Sequence, residues 1–517
     1  MSTQAVAVSP DPLLASYDAV PYGGGAIAGT RPDYLAATAK LRGLDAPDVR
    51  RCRVLDLGCA TGGNLLAMAL AFPESSFVGV DLSPRQIAAA TAAAREIGAD
   101  NVRFEALSIA DIDASFGTFD YIVSHGVYSW VPPQVQQALL AVCANNLAAD
   151  GIAYVSYNTY PGWHVRGLVR DMILFHDQAD LEPHQRVERA RGFVDFVARS
   201  TPKNDSVYTM MLREEVALLQ SANDSYLMHE ELESENHPVY FTEFMRRAAA
   251  SGLQYVAESA PTLADAQMPN DVKDALRSWS ANDLAYEQYL DFVRNRTFRR
   301  TLLCHAGRRV SREPMPEALL SLCLHARCVA DPNAADAATP GVEVFRTTEG
   351  VAATMSHPVV RAALHVLIDA APAAVPFAVL LDRTRAHVAD GGVTEMLLAD
   401  AMLRCALVRM LDLTTTTGSC VTSLSERPVA SPLARLEVRT EPVASSLLHL
   451  EVKLADFDKL VLRLLDGTRD REALVDEIIR AVDRGELNLG ERRPRSEVAA
   501  ALDHALSQFR VAGLLVA

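Results

Sequence analysis

The sequence predicts an α/β protein built on a doubly wound, Rossmann-like sheet, and three observations carry that prediction. Over the first 160 residues, short apolar β-type runs alternate with Ala-rich helical stretches, the pattern of parallel strands covered by helices on both faces. The first apolar run ends in a glycine-rich turn, Gly58-Cys59-Ala60-Thr61-Gly62-Gly63, and the second ends in an acid, Asp81.

In order, residues 52–57, 76–80, 102–106, 120–124 and 152–157 read as buried strands, and 64–71, 84–97 and 134–147 as helices. Ser83 suits the N-cap of the second helix and Pro84 its first turn. After Pro161-Gly162 the text becomes long, charged and amphipathic from 164 to 232, which predicts a helical insertion. A helix at 241–250 follows, with Gly252 as its C′ residue, then a strand at 253–256. A charged helix at 286–296 precedes the apolar run 301–304. Those two runs are expected to return to the sheet as its last strands. The chain thus divides into a core at 1–163, a helical insertion with its return at 164–305, and a tail at 306–517. In the tail, helices at 358–381 and 394–404 with a strand at 406–411 are echoed by 456–465, 470–482, 496–508 and 513–516. Helices ending in a short strand predict winged-helix-like modules. The loops 331–341 and 485–495 are expected to be the most mobile segments.

With 49 Lys+Arg against 65 Asp+Glu, the net charge of −16 disfavours a nucleic-acid partner. No signal segment and no apolar run of membrane-spanning length is seen. Eight dispersed cysteines suit a reducing compartment, so a cytoplasmic protein is expected. Cys304-His305 and Cys323-Leu324-His325 with Cys328 match no zinc spacing, and no metal is expected.

Glycines at a strand-to-helix turn let a ligand approach the backbone, and an acid closing the next strand can accept both hydroxyls of a ribose. A nucleoside-containing ligand follows. The letters also fit a dinucleotide fingerprint with Ala60 in the middle slot. Against that stands Asp56, a carboxylate where a dinucleotide site would keep an apolar strand residue.

The block from Val54 to Asn64, with Val78-Gly79-Val80-Asp81-Leu82-Ser83, resembles motifs I and II of class I S-adenosylmethionine-dependent methyltransferases. Further stretches resemble the subfamily carrying a methyltransferase regulatory domain. They are Ser16-Tyr17-Asp18 with Pro21-Tyr22, Ser124-His125-Gly126-Val127-Tyr128-Ser129-Trp130, Ser156-Tyr157-Asn158 with Pro161-Gly162-Trp163, 223–227, 236–241 and 289–296. That subfamily includes bacterial lysine methyltransferases of outer-membrane proteins. The resemblance implies S-adenosyl-L-methionine as cofactor, a protein lysine as acceptor, and a homodimer formed through 164–232. It implies cofactor contacts from Tyr17, Asp56, Gly58, Ala60, Gly62, Asn64, Asp81, Leu82, Ser108, Ile109 and His125. Ser108-Ile109 stands where many relatives place an adenine-binding Asp. Tyr128, Trp130, Tyr157, Asn158 and Trp163, at or after the ends of the fourth and fifth strands, are the acceptor-side candidates. Two alternatives stay open: a small-molecule methyltransferase, and a silent S-adenosylmethionine-binding scaffold. Because every candidate cofactor residue lies before about 130, the tail is expected to serve substrate selection rather than cofactor binding.

Overall fold

The computed structural model describes residues 24–517 except 179, 203–205, 260–267, 335–340, 348–349, 389–391 and 489–492. Helix α1 (Pro32–Leu41) leads into β1 (Arg53–Leu57), α2 (Gly63–Ala71), β2 (Ser76–Asp81), α3 (Pro84–Ile97), β3 (Val102–Ala106), β4 (Phe119–Ser124), α4 (Pro133–Asn145) and β5 (Leu147–Asn158). The sheet is completed by β6 (Leu253–Glu258) and β7 (Phe298–His305), in the order β3-β2-β1-β4-β5-β7-β6. The first five strands run parallel, while β7 is antiparallel to both β5 and β6. Strand order reverses between β1 and β4, so the crevice beyond their carboxyl ends is where a ligand is expected in such sheets.

Alternation along the strands divides two cores. Tyr121, Tyr154 and Cys304 pack with α1, α2 and α3 through Leu35, Leu66 and Ile87. Leu55, Ile122 and Tyr157 pack on the other face with Leu139 of α4 and with Phe241 and Phe244 of α9 (Phe241–Ala250). The expected cap of α3 is present: Ser83 Oγ accepts the Gln86 amide and Gly98 ends the helix in the left-handed region.

The insertion consists of α5 (Gly162–His176), α6 (Pro183–Ser200), α7 (Val207–Ser221) and α8 (Asp224–Glu230), joined by a small core of its own that includes Ile173, Val194, Leu212 and Leu227. Before β7 come α10 (Asn270–Trp279) and α11 (Asp283–Arg294). Arg299 of β7 is fully buried; it donates to Asp291 of α11 at 2.8 and 2.9 Å and to Glu258 of β6 at 2.7 Å, over the ring of Phe241. A guanidinium with these acceptors pins α11 to the sheet edge.

The tail holds two cores. The first surrounds β8 (Cys323–Ala326), β9 (Cys328–Ala330), β10 (Glu343–Thr347), β11 (Ala352–Met355), α12 (Pro358–Ala370), β12 (Val375–Pro376), α13 (Phe377–His387), α14 (Glu395–Leu407) and β13 (Leu411–Thr414), and takes in Ala37 of α1. The second surrounds α15 (Pro432–Glu437), the hairpin of β14 (Val443–Ser445) and β15 (Glu451–Lys453), α16 (Asp456–Leu464), α17 (Arg471–Asp483) and α18 (Arg495–Val511).

Three expectations for the tail need correction. The helix expected at 358–381 is two, α12 and α13, because Pro372 and Pro376 cannot donate to a helical ladder. The run 406–411 is not a strand: α14 continues through Leu407 and β13 starts at Leu411, after a left-handed turn at Arg409. Residues 513–516 contribute an isolated bridge, Ala430 to Leu515. The loops 331–341 and 485–495 lie partly outside the described residues. Among the described residues, no helix is long and apolar enough to cross a membrane.

Candidate active site

Between β1 and α2 the chain must turn within five residues, and Gly58, Ala60 and Gly62 do so with φ of 79°, 49° and 80°. Side chains are also excluded sterically. A Cβ on Gly62 would stand 2.6 Å from the Phe104 ring, and one on Gly58 would strike Val127. Ala60 tolerates a left-handed conformation because its amide is held, donating to Asp81 Oδ2 at 2.9 Å. The Gly58 and Cys59 amides both donate to the Val80 carbonyl. Loop and β2 are therefore one unit, and Asp81 organises the loop before any ligand arrives.

Asp81 Oδ1 also accepts the Ser83 amide at 2.9 Å. A carboxylate has about four acceptor sites, enough to serve these amides and a pair of ribose hydroxyls together. Asp56, at the end of β1, is buried, and Asn64 Nδ2 donates to its Oδ2 at 3.2 Å. Burial pushes the Asp56 carboxyl up to about 7, with the nearby Asp81 charge adding and the Asn64 donor opposing. Leu82, directly after Asp81, is exposed. Ser108 caps the short turn Ile109–Asp111 by accepting the Ala110 amide, and Ile109 packs into the core beneath. Tyr17 lies outside the described residues.

His125 follows β4 and shares a 2.8 Å hydrogen bond with Tyr154; its ring stands edge-on to Phe298. Burial drives its imidazole down to about 3, so it is neutral. The other aromatic candidates sit deeper than expected. Tyr157 is stacked on Phe244 with centroids 4.0 Å apart and shares a 3.0 Å hydrogen bond with Thr301. Tyr128 meets both of those rings edge-on and lies near Arg247. Both are fully buried: alternation along β5 turns Tyr157 toward α9. Trp130 and Trp163 pack edge-to-face, with the Arg166 guanidinium 4.7 Å above Trp163. Asn158 remains at the strand end, donating to Asn236 Oδ1 at 3.1 Å.

Two groups near the glycine loop escaped the sequence reading. The segment 24–31 lies against the loop: the Ile27 amide and Thr30 Oγ1 donate to Asn64 Oδ1 at 3.0 and 3.1 Å. From the far end of the chain, His449 Nε2 approaches the same oxygen at 2.7 Å. The tail therefore reaches Asn64 beside the glycine loop. No local motif around His449, in Leu447-Leu448-His449-Leu450, signals the contact.

Three family models match the chain: a methyltransferase domain over residues 54–151, a predicted methyltransferase regulatory domain over 223–305, and a PKMT C-terminal winged-helix domain over 426–514. An uncharacterized protein of Rickettsia prowazekii, RP789, is 34% identical over 93% of this chain and 88% of its own length. A second R. prowazekii protein, RP028, is 41% identical over 45% of this chain and 93% of its own. Among solved structures, PKMT2 from Rickettsia typhi superposes on 96% of this chain and 100% of its own with a TM-score of 0.85 at 28% identity. The same protein in complex with AdoHcy gives a TM-score of 0.84.

Proposed function

Because the chain belongs to the family of class I S-adenosylmethionine-dependent methyltransferases with a methyltransferase regulatory domain and a PKMT winged-helix domain, we propose that its acceptor is a lysine amine on a protein. The observation that carries this reading is the likeness to R. typhi PKMT2 along the whole chain, tail included. The motif resemblance favours an outer-membrane or surface protein as the substrate.

S-adenosylmethionine supplies an electrophilic methyl group on a sulfonium. The chain's part is to align, exclude water and hold charge. Asp56 would face the ammonium of the cofactor's amino-acid end, Asp81 would receive the ribose hydroxyls, and Gly58, Ala60 and Gly62 would admit the ligand to the backbone. Leu82, Ser108 and Ile109 border the adenine side. The lysine must lose its proton from a reference pKa near ~10.4, which desolvation favours. With that proton released to solvent, the lysine nitrogen would be free to take the methyl group, the carbon–sulfur bonding pair remaining on sulfur. His125, just beyond β4, and Asn158, the last residue of β5, would border the acceptor side. The buried tyrosines and tryptophans hold that rim in place.

The chain acts in the cytoplasm, a reading supported by its eight free thiols, seven of them buried. A homodimer through the helical insertion is supported by large apolar side chains left in water there, Phe175 at 91% and Val207 at 77% exposure; light scattering should give twice the chain mass. The decisive test incubates the protein with methyl-labelled S-adenosylmethionine and a panel of bacterial surface proteins. Label on lysine side chains, matched by S-adenosylhomocysteine release, supports the reading. Turnover only with small-molecule extracts, or none at all, replaces it with the corresponding alternative.

A further inference from the structure

The hairpin of β14 and β15 carries His449 at its turn with φ of 61°, a backbone conformation costly for a residue with a bulky side chain and kept only where surroundings impose it. The side chain is 3% exposed, and burial drives its imidazole down to about 3, so it is neutral. Its tautomer follows from its neighbours. Asn64 Oδ1 accepts from the Ile27 amide, a group that only donates, so the amide oxygen must stand there. His449 Nε2, 2.7 Å from that oxygen, therefore carries the hydrogen. With its oxygen so held, Asn64 turns its NH2 to Asp56. One directed chain runs from His449 through Asn64 to the carboxylate at the end of β1.

The same hairpin holds the segment that lies over the loop. Ala26 donates to Ser445 Oγ at 3.0 Å, and Arg31 Nη1 to the Leu447 carbonyl at 2.9 Å. Gly25 passes so close to Glu451 that a Cβ there would strike its carboxylate.

We propose that His449 is a positioning residue for the cofactor: by fixing the Asn64 amide it aims Asp56 at the amino-acid end of S-adenosylmethionine, so the winged-helix domain forms part of the cofactor site. The proposal rests on the reading of Asp56 as a cofactor-binding carboxylate. Without the Nε2 hydrogen, Asn64 Oδ1 loses the shortest of its three contacts, 2.7 Å against 3.0 and 3.1 Å, and a flipped amide would set oxygen against the Asp56 carboxylate.

The test is calorimetric titration of the full-length protein with S-adenosylhomocysteine. H449A should weaken binding by about tenfold, the effect of losing one buried hydrogen bond. H449Q, whose amide can donate from the same place, should stay within about threefold of wild type. D81A should lose more than about tenfold, since it removes charge-assisted bonds. If H449A does not fold, as judged by its melting curve, H449F keeps the ring volume without the donor and takes its place. Wild-type affinity in H449A with D81A impaired overturns the role of His449 and leaves the cofactor reading standing. Wild-type affinity in D81A overturns the cofactor reading itself. Equal losses in H449A and H449Q would mark a packing role and also overturn the proposal.

Discussion

The tail's two modules meet the methyltransferase core in different ways. The module of α12–α14 takes Ala37 and Leu41 of α1 into its apolar core, and Thr416 beside it donates to Asp33 at 3.3 Å. The module of α15–α18 contributes Leu433 to the core under the sheet, but its hairpin sends Ser445, Leu447 and His449 to segment 24–31 and to Asn64. The first attachment is mostly apolar and remote from the glycine loop; the second is polar and reaches it. A repeated helix-and-strand plan does not imply a repeated role, because what decides the role is which turn faces the site.

That contrast makes four measurable claims, from the largest effect to the smallest. L367A, in the first module's core, should cost about 3 kcal/mol of stability in denaturant melts, typical of deleting a buried Leu. Its affinity for S-adenosylhomocysteine should change less than about twofold, and a larger change in the folded protein would erase the contrast. Removing residues 426–517 should weaken that affinity by more than about a hundredfold, since segment 24–31 loses the partners that preorganise it. A folded truncated protein, verified by circular dichroism, that binds within about threefold of wild type would break the comparison from the other side.

The third claim concerns pH. Asp56 titrates near 7 in the free protein and must be ionised to attract an ammonium. At pH 6 only about a tenth is ionised, so affinity should fall by about tenfold between pH 8 and 6, with proton release on binding at the lower pH. His125 and His449, both driven down to about 3, do not titrate in that window. The sign is opposite for stability of the free protein. A carboxyl raised in the fold stabilises most below its unfolded value near 4, and that contribution is lost as pH rises through 7. D56N should flatten both profiles, and a pH-independent affinity in the wild type would remove Asp56 from the ammonium site. Smallest of all, T416V should cost no more than about 1 kcal/mol and leave affinity unchanged, because Asp33 retains Arg31 at 2.6 and 2.7 Å.

How far the sequence could be read depended on distance along the chain. Asp56, Gly58, Gly62 and Asp81 lie within 26 residues, and a strand, a tight turn and the next strand fix their relation without help from elsewhere. The paired return of β6 and β7 was legible as two apolar runs, but the placement of β7 between β5 and β6 was not, since register is a tertiary matter. Tyr157 shows the same limit at one residue: its position at the strand end was readable, whereas the face it takes depended on Phe244. Pro372 and Pro376 carried a readable break that the apolar periodicity of 358–381 masked. Strands β8–β11 were missed because each spans only three to five residues, too few to show alternation.

The bond between Asn64 and His449 spans 385 positions, and that span has a meaning in time. Chains are made from the N-terminus at about 5–20 residues per second, so the glycine loop precedes the hairpin by roughly 20–80 s. Throughout that interval the sheet can begin to fold with its loop in place, but Asn64, the donor to the Asp56 carboxylate, still lacks its contact with His449. If His449 aims Asp56 as proposed, tight cofactor retention arrives with the segment that also carries the winged-helix surface. On the proposed role of His449, a chain not yet extended to the hairpin would be a poor holder of methyl donor.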